Sequence, residues 1–482
     1  MPPVLTWLFR GEEQMKVFAV SVVALWCTFV ASGRNAQRAT EPDPLVGTEA
    51  ILSEPQQHRH PTTIPLTLPE LESAALAKNP EILAAMRRIA VVEARRGSAG
   101  SLDDPSFMYR GWGTPLSRPW DLNQSQHMFM YSQSLPGGGK RQLRTQVADA
   151  DVDIATAEVE ARKRDVLTQV RRAFYELLQN QSGLRFHDEQ AALARQGLES
   201  ARIKYVVGKV PQSDMLKAQI ALTRLVEHLV MLQQDGDLAR ARLNTLLGRD
   251  PGSPLDVVGD YSPPSQIPGF LDLEKMALDN RPELAAISAM IRQSETRTQL
   301  AEKSLTPDYT LSGGYMLMPD DSRYRNTYAA ELSVTLPWLN RGRHNAEIAE
   351  ASAVVAAEKA EYESRRAAVF AEIQESLVRV RVAQRLVGLY RDTLRPQAQA
   401  VLKATIAAYQ ADRTDYLNLL DSQNTTLDLE LDYIRAVSDL ETRMADLERA
   451  VGAPLPRTWK PSSSDSREYQ TVDAPMRLEV KQ

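Results

Sequence analysis

The feature that most constrains this fold is a stretch with almost no helix breakers. Between Lys140 and Tyr205 there is no proline, and the only glycines are Gly183 and Gly197. Apolar residues recur with a period close to an alternation of three and four, which predicts one long helix with a narrow apolar seam; they are Val147, Ile154, Ala161, Val166, Val170, Phe174 and Leu177. At ~1.5 Å per residue this helix would be roughly 100 Å long. An ordinary globular domain does not need a helix of that length.

A turn and a returning helix follow the long helix. In the turn, residues 205–214, Gly208 and Pro211 end one helix, and a Ser-Asp pair starts the next. The return helix is predicted over 213–247. About 200 residues later the pattern recurs, with a turn at 409–415 and a return helix that ends at Val451-Gly452. The chain is therefore predicted to be a duplication.

Short helices with a proline break precede each long helix. The first begins near Leu68 and breaks at Asn79-Pro80-Glu81; the second breaks at Asn280-Arg281-Pro282-Glu283. This alignment predicts a first repeat over 68–252 and a second over 270–456. An equatorial linker at 253–269 and a tail at 457–482 complete the division.

After each break the apolar period changes from 3.6 to 2, which predicts β-strands. The clearest are Asp308–Met318 and Thr327–Leu336, and weaker equivalents lie at Pro105–Gly113 and Gln126–Leu135. Each is about ten residues long, which is the length of a membrane-spanning strand. Both pairs end in Leu-Pro, and a long helix follows.

Four such strands cannot sit in lipid alone, because the sheet edges would leave backbone groups unpaired. Closure into a barrel needs at least about eight strands. Several copies of the chain must therefore share one barrel. A dimer would give a barrel filled by side chains, whereas a trimer would give twelve strands and an open lumen.

Residues 1–36 are predicted to contain a secretory signal peptide, with Met15-Lys16 before an apolar run at 17–30. A retained membrane anchor is the alternative. The single cysteine, Cys27, lies in this run, so no disulfide is expected in the mature chain. Residues 37–67 are predicted to be a disordered linker. The net charge of −5 argues against a nucleic-acid partner.

This organisation resembles the TolC-like outer-membrane efflux family over roughly 66–456. The resemblance is carried by the duplicated element order, the paired proline breaks, the Leu-Pro strand exits and the turn Tyr-Val-Val-Gly-Lys-Val-Pro-Gln-Ser-Asp. It implies a mainly α-helical fold with a transmembrane β-barrel, in which a trimer builds a 12-stranded barrel on a 12-helix periplasmic tunnel. The stretches 136–141, 208–214 and 280–284 are most similar to the branch that serves heavy-metal pumps of the resistance-nodulation-division type.

The resemblance also implies partners and site residues. The partners would be two further copies of the chain, a periplasmic adaptor, an inner-membrane transporter and outer-membrane lipid. The residues implied to dock the adaptor at the hairpin tips are Gly208, Lys209, Val210, Pro211, Asp412 and Thr414. Those implied to form the periplasmic gate are Asp421, Asn418, Asp214, Arg413 and Asp415. Relatives carry acids at two gate positions on the second return helix; this chain keeps Asp421 but has the uncharged Asn418.

Simpler roles compete for some of these residues. Ser213-Asp214 and Thr414-Asp415 stand where residues cap helices and complement the helix dipole. Arg413 is a candidate latch partner for Asp214 of a neighbouring hairpin, or a solvated side chain. Asp421 lies about two turns into its helix, too deep for capping to explain.

No cofactor, metal site or enzymatic activity is predicted, because no phosphate loop, metalloprotease helix or nucleophile motif is present. The histidines His127, His187, His228 and His344 show no ligand spacing. Methionines at 108, 128, 130, 316 and 318 are expected on the face opposite the strand aromatics, as lumen-facing ligands for soft ions or as flexible packing. Two other functions stay open: an outer-membrane duct for type I protein secretion, and a periplasmic coiled-coil adaptor.

Overall fold

The computed structural model describes residues 65–113, 116–117, 125–261, 267–319, 322–323, 325–411 and 413–456. The predicted signal peptide, most of the 37–67 linker and the 457–482 tail lie outside the described residues. The end of the linker belongs to the folded repeat. Leu66 forms a parallel bridge with Val257, and its carbonyl accepts a hydrogen bond of 3.0 Å from the Val258 N–H.

The two repeats have the same order of elements, which confirms the predicted duplication. The first contains α1 (Leu68–Lys78), α2 (Pro80–Ala99), β1 (Ser106–Trp112), β2 (Gln126–Leu135), α3 (Lys140–Val206) and α4 (Gln212–Leu246). The second contains α5 (Phe270–Asn280), α6 (Pro282–Glu302), β3 (Tyr309–Leu317), β4 (Asn326–Val334), α7 (Arg341–Leu389), α8 (Arg395–Gln410) and α9 (Tyr416–Val451). The predicted strands agree with the observed ones to within two residues at each end.

The long outward helices of the two repeats differ. Helix α3 runs for 67 residues without a break, whereas its counterpart is divided into α7 and α8 by a π-helical turn at Tyr390–Leu394. Pro396 explains the division, because proline has no N–H to donate and its ring displaces the carbonyl four residues earlier. The sequence pattern predicted a long helix here but not this π-helical turn.

In the first repeat, Asn79 fixes the break between α1 and α2. Its Oδ1 accepts hydrogen bonds from the N–H groups of Glu81 and Ile82, at 2.9 and 3.2 Å. Its Nδ2 donates to the carbonyl of Leu246 at 2.9 Å. One buried side chain thus caps α2 and holds the C-terminal end of α4.

Arg281 occupies the equivalent break between α5 and α6. Its guanidinium is buried and donates to the carbonyl of Ala450 and to the carboxylate of Glu372, each at 2.5 Å. Glu372 also accepts from Arg449 at 3.2 Å, and Arg449 pairs with Asp165 of the first repeat at 2.6 Å. In the second repeat, an ion-pair network thus connects the α5–α6 break to the C-terminal end of α9.

Two apolar cores lie beside these breaks, one in each repeat. The first packs α1 and α2 against α3 and α4, with Leu71, Ile82, Phe174 and Leu243 fully or almost fully buried. The second packs α5 and α6 against α7 and α9 around Leu273, Leu284, Ile373 and Leu440. The Ser438 hydroxyl joins the repeats by donating to the Tyr175 carbonyl at 3.1 Å.

The four strands form one antiparallel sheet in the order β1-β2-β3-β4. Because side chains that pair across antiparallel strands point to the same face, the register defines two faces. One carries Phe107, Tyr131, Tyr109, Phe129, Tyr315, Tyr328, Leu311 and Leu332. The other carries Arg110, Met128, Met316, Met108, Met130, Ser132, Ser312 and Glu331. The sheet is thus apolar and aromatic on one face and polar or methionine-rich on the other.

A glycine-rich loop, Pro136–Gly139, joins β2 to the long helix α3. The Gly137 N–H and the Lys140 ammonium both donate to Asp308 Oδ1, each at 2.8 Å. Partial burial disfavours the carboxylate, but these hydrogen bonds outweigh it and hold the pKa of Asp308 below its usual value. A Cβ at Gly137 would lie 2.0 Å from the Pro307 carbonyl oxygen, so only glycine permits this close approach.

Gly248 offers a test of how the return helix docks on the α1–α2 break. Its φ is +65°, and a Cβ would stand 2.7 Å from the backbone oxygen of Lys78. Gly248→Ala should lower the free energy of unfolding by about 1–3 kcal/mol, through backbone strain and a clash that cannot relax cheaply.

Gly97→Ala is the matched control, because Gly97 lies in α2 and a Cβ there meets nothing within 4 Å. It should leave stability unchanged or raise it by up to about 1 kcal/mol. Denaturant unfolding of the detergent-solubilised variants measures both changes. Equal midpoints for Gly248→Ala and the parent would show that the docking does not require glycine.

Candidate functional site

The first hairpin tip is a glycine-terminated helix end. Gly208 has φ +72°, its N–H donates to the Tyr205 carbonyl at 2.9 Å, and the Lys209 N–H donates to the Lys204 carbonyl at 2.8 Å. This is the hydrogen-bond pattern of a Schellman cap. Pro211, with φ −70°, then starts α4. The turn that the sequence predicted is present, and its own backbone bonds set its conformation.

This tip leaves apolar side chains in solvent. Val206 is 77% exposed and Val207 is 62% exposed. Lys209 follows them after Gly208, and Val210 is half-buried. A turn that exposes two neighbouring valines beside a lysine is suited to contact another protein.

The second tip uses the same helix ending with different residues. The Arg413 N–H donates to the Ala408 carbonyl at 2.8 Å, as Lys209 does in the first tip. Asp415 caps α9, because its Oδ1 accepts from the Asn418 N–H at 3.1 Å. The Asn418 amide donates to the Thr414 hydroxyl at 3.2 Å. Asp412, assigned to the docking tip from the sequence, lies outside the described residues.

Contacts near the tips join the two hairpins. Ala201 of α3, Ala218 of α4 and Leu419 of α9 form a small buried cluster. The Lys204 ammonium lies 3.7 Å from the ring centroid of Tyr409, which gives a cation–π contact between the hairpins. The four helix ends of one chain therefore form one packed unit.

Asn418 and Asp421 line a groove between α8 and α9. The groove has a volume of about 650 Å³ and extends from Leu394 and Gln397, beside the π-helical turn, to Thr414 near the tip. The Asp421 side chain is exposed. The two predicted gate positions on α9 thus lie together in one open groove of the single chain.

Asp214 and Arg413 do not meet within the chain. Asp214 is 8% exposed in the first turn of α4, where it accepts a hydrogen bond of 3.3 Å from the Ser213 hydroxyl. Among the ion pairs of the described residues, none joins Asp214 to Arg413. A latch between these groups would therefore have to link two copies, and it stays a prediction.

The strand methionines share a face, as the sequence analysis expected. Met108 pairs with Met130 and Met128 pairs with Met316, opposite the aromatic face. Met318 lies just beyond the end of β3. Met128 and Met130 are 8% and 5% exposed, whereas Tyr328 on the other face is 89% exposed. The two faces thus differ in chemistry and in exposure.

The histidines include one pair that the sequence did not reveal. His187 of α3 and His228 of α4 have ring centroids 5.8 Å apart, with the ring planes at 82°. Burial and the neighbouring His228 hold the pKa of His187 below its usual value, against the opposing charge of Asp188. His127 bonds Tyr109, and His344 bonds Ser304, each at 2.9 Å. The sequence separation of His187 and His228 gave no sign that the fold brings their rings together.

The described ranges contain no group of three or more His, Cys, Asp or Glu side chains arranged to hold a metal ion.

In the part of the chain that the structure describes, no helix is both long and apolar enough to cross a membrane.

Two long hairpins with packed tips, joined to a two-faced sheet of membrane-length strands, define a channel subunit of the outer-membrane efflux type. The family model for the outer membrane efflux protein matches residues 71–249 and 273–453, one block in each repeat. The chain therefore belongs to the outer membrane efflux protein family. Members are passive outer-membrane channels of tripartite pumps that extend into the periplasm, not enzymes.

Individual relatives agree with this family. The cobalt-zinc-cadmium resistance protein CzcC of Cupriavidus metallidurans is 25% identical over 65% of this chain and 74% of its own length. Nodulation protein T of Rhizobium leguminosarum bv. trifolii is 21% identical over 65% and 69%. Both alignments cover more than two thirds of the relative, so the similarity extends over most of each protein.

Solved structures show the same fold. CusC superimposes with a TM-score of 0.69 at 15% identity, covering 80% of this chain and 92% of its own. VceC of Vibrio cholerae superimposes with a TM-score of 0.66 at 17% identity, covering 81% and 97%. The predicted mainly α-helical fold, with duplicated long hairpins and four strands in the chain, is confirmed, and the alternative of a periplasmic adaptor is wrong.

Two substitutions at Gly208 test whether function requires the left-handed backbone conformation of the first tip. Gly208→Val should abolish complementation of a strain lacking this channel, because a β-branched residue disfavours the positive φ of the cap. Gly208→Asn should retain most activity, since asparagine tolerates that conformation. Growth under efflux challenge is the measurement, and outer-membrane levels of both variants are the control. Equal activity of the two variants would contradict a requirement for the capped tip.

Proposed function

We propose that three copies of this chain form a closed channel in the outer membrane, which serves as the exit duct of a metal-cation pump. The observation that carries the proposal is the sheet, whose β1 and β4 edges have no strand partner within the described chain. In lipid these edges must pair with other copies. Two copies would close a barrel filled by side chains, whereas three leave a lumen for a duct.

The two faces of the sheet support this orientation. The face with Phe107, Tyr131 and Leu311 suits lipid, and the face with Arg110, Ser312 and Glu331 suits a wet lumen. A lumen lined by serine, methionine and charged groups lets hydrated cargo pass without a specific site.

Metal cations are the cargo class that the relatives favour. The relative CzcC is named as a cobalt-zinc-cadmium resistance protein, and its alignment covers 65% of this chain. The sequence features at 136–141, 208–214 and 280–284 point to the same branch. The channel would act with an inner-membrane transporter of the resistance-nodulation-division type and a periplasmic adaptor.

The tips are the adaptor-docking surface in this proposal. The exposed valines at 206 and 207 offer apolar contact area, and the self-capped turn needs no reorganisation on binding. Lys209, Val210 and Pro211 extend the first tip, and Thr414 belongs to the second.

Tolerance assays test the cargo. Deletion of the gene should lower tolerance to zinc, cobalt or cadmium, and the full chain on a plasmid should restore it. A drug panel and secretion of a type I substrate serve as parallel readouts. If the deletion strain keeps its metal tolerance but loses drug tolerance or secretion, the proposal of a metal cargo is contradicted. The proposal that the chain forms an exit duct would still stand.

Asp421 would form the charged ring of the periplasmic gate. In a trimer, three Asp421 carboxylates would converge around the axis, beside the neutral Asn418. Like charges held together attract counter-cations. The gate should therefore favour cations and bind multivalent cations, though less strongly than a channel with acids at both positions.

Planar-bilayer recordings test this gate. With a trivalent cation on the periplasmic side, the parent channel should be blocked, and Asp421→Asn should remove both the block and the cation preference. Asn418→Asp should strengthen both. Asp439→Asn is the control, because Asp439 lies on the same helix but lines neither this groove nor another cavity of the described chain. If Asp421→Asn is blocked as readily as the parent, the gate lies elsewhere.

A further inference from the structure

A histidine pair lies in the wall of the first hairpin, away from the tip and from the gate groove. His187 projects from α3 and His228 from α4, and their ring centroids are 5.8 Å apart. Two imidazoles that bind one ion at about 2.0–2.1 Å place their ring centres roughly 5–6 Å apart. The observed separation of the ring centres therefore lies in the range for two ligands of a shared metal ion.

The two rings differ in accessibility. His187 is 2% exposed, and its Nδ1 is buried with no hydrogen-bond partner among the described residues. An unpartnered buried nitrogen is costly to a fold, so it calls for a ligand or another explanation. His228 is exposed. One imidazole is thus held by packing, and the other can be reached from solvent.

The pair opens into a cavity of about 650 Å³ between α3, α4 and α9. Its charged lining consists of the carboxylates of Glu176, Asp235, Asp428 and Asp432 and the guanidinium groups of Arg242 and Arg435. Glu176 pairs with Arg242 at 3.2 Å, and Asp432 pairs with Arg435 at 2.8 Å. Within the described chain, Asp235 and Asp428 have no ion-pair partner, so the cavity carries excess negative charge.

We propose that His187 and His228 bind one borderline divalent transition-metal cation, such as Zn²⁺ or Co²⁺, in this cavity. Imidazole nitrogen is a good ligand for these ions, and the excess carboxylate charge favours a cation over an anion. The pair supplies two protein ligands, and water completes the coordination.

The proposed metal site does not depend on the cargo proposed above. Its basis is the distance between the two histidine rings, the buried His187 nitrogen and the charges of the cavity. A channel that exports drugs would carry the same pair. Failure of metal binding would leave the duct proposal intact, and failure of metal tolerance would leave the site intact.

Equilibrium dialysis of the detergent-solubilised full chain against Zn²⁺, with any affinity-tag histidines removed, tests the site. The parent should bind one Zn²⁺ ion per chain. When Co²⁺ replaces Zn²⁺, the absorption spectrum should show that nitrogen atoms coordinate the metal. His228→Gln should weaken binding on the order of tenfold or more, since loss of even an outer partner of a metal site costs 10–100-fold. His228 is exposed, so this variant should fold.

Two further variants keep the result interpretable. His344→Gln should bind Zn²⁺ as the parent does, because His344 is bonded to Ser304 in another part of the chain. Asp428→Asn should weaken binding less than His228→Gln if the carboxylate acts through charge. Equal Zn²⁺ affinity of the parent and His228→Gln, or no binding by the parent, would overturn the proposal.

Discussion

The open edges of the four-stranded sheet are the constraint on which the rest of this molecule depends. The outward N–H and C=O groups of β1 and β4 have no partner strand in the described chain, and each would cost several kcal/mol in hydrocarbon. In the proposed trimer, pairing with further copies would remove that cost. Because β2 and β4 lead into the long helices, the pairing of the strands would also decide which hairpins become neighbours. Insertion of the sheet in the membrane and assembly of the helices would then be one event.

The two repeats share the geometry of the break before the long hairpin but use different side chains there. Asn79 and Arg281 occupy equivalent breaks and reach equivalent carbonyls, those of Leu246 and Ala450. The first contact is a neutral hydrogen bond. The second belongs to an ion-pair network through Glu372 and Arg449. What both repeats require is a donor at this position that bridges the break and the end of the return helix, and either side chain supplies it.

The sequence predicted those parts of the fold whose signals are local. Proline breaks, the glycine at 208 and the period-2 runs each act within a few residues, so the strands and hairpins were placed closely. The π-helical turn was missed although Pro396 was visible, because the second repeat was interpreted by its correspondence with the first. The proximity of His187 and His228 could not be inferred, since it depends on how α3 and α4 pair over their length. A helix start at Thr414-Asp415 was expected, and the structure shows that Asp415 is its cap; the groove shared by Asn418 and Asp421 depends on the packing of α8 on α9.

Pro396 makes the outward helices of the two hairpins different. Helix α3 is continuous over 67 residues, whereas the matching helix of the second repeat is interrupted by the π-helical turn at Tyr390–Leu394. Helix α8, beyond this turn, forms one wall of the groove, and Asn418 and Asp421 stand on the other wall, which is the unbroken α9. A change of angle at the turn would therefore alter the width of the groove without moving the side chains that give the groove its charge.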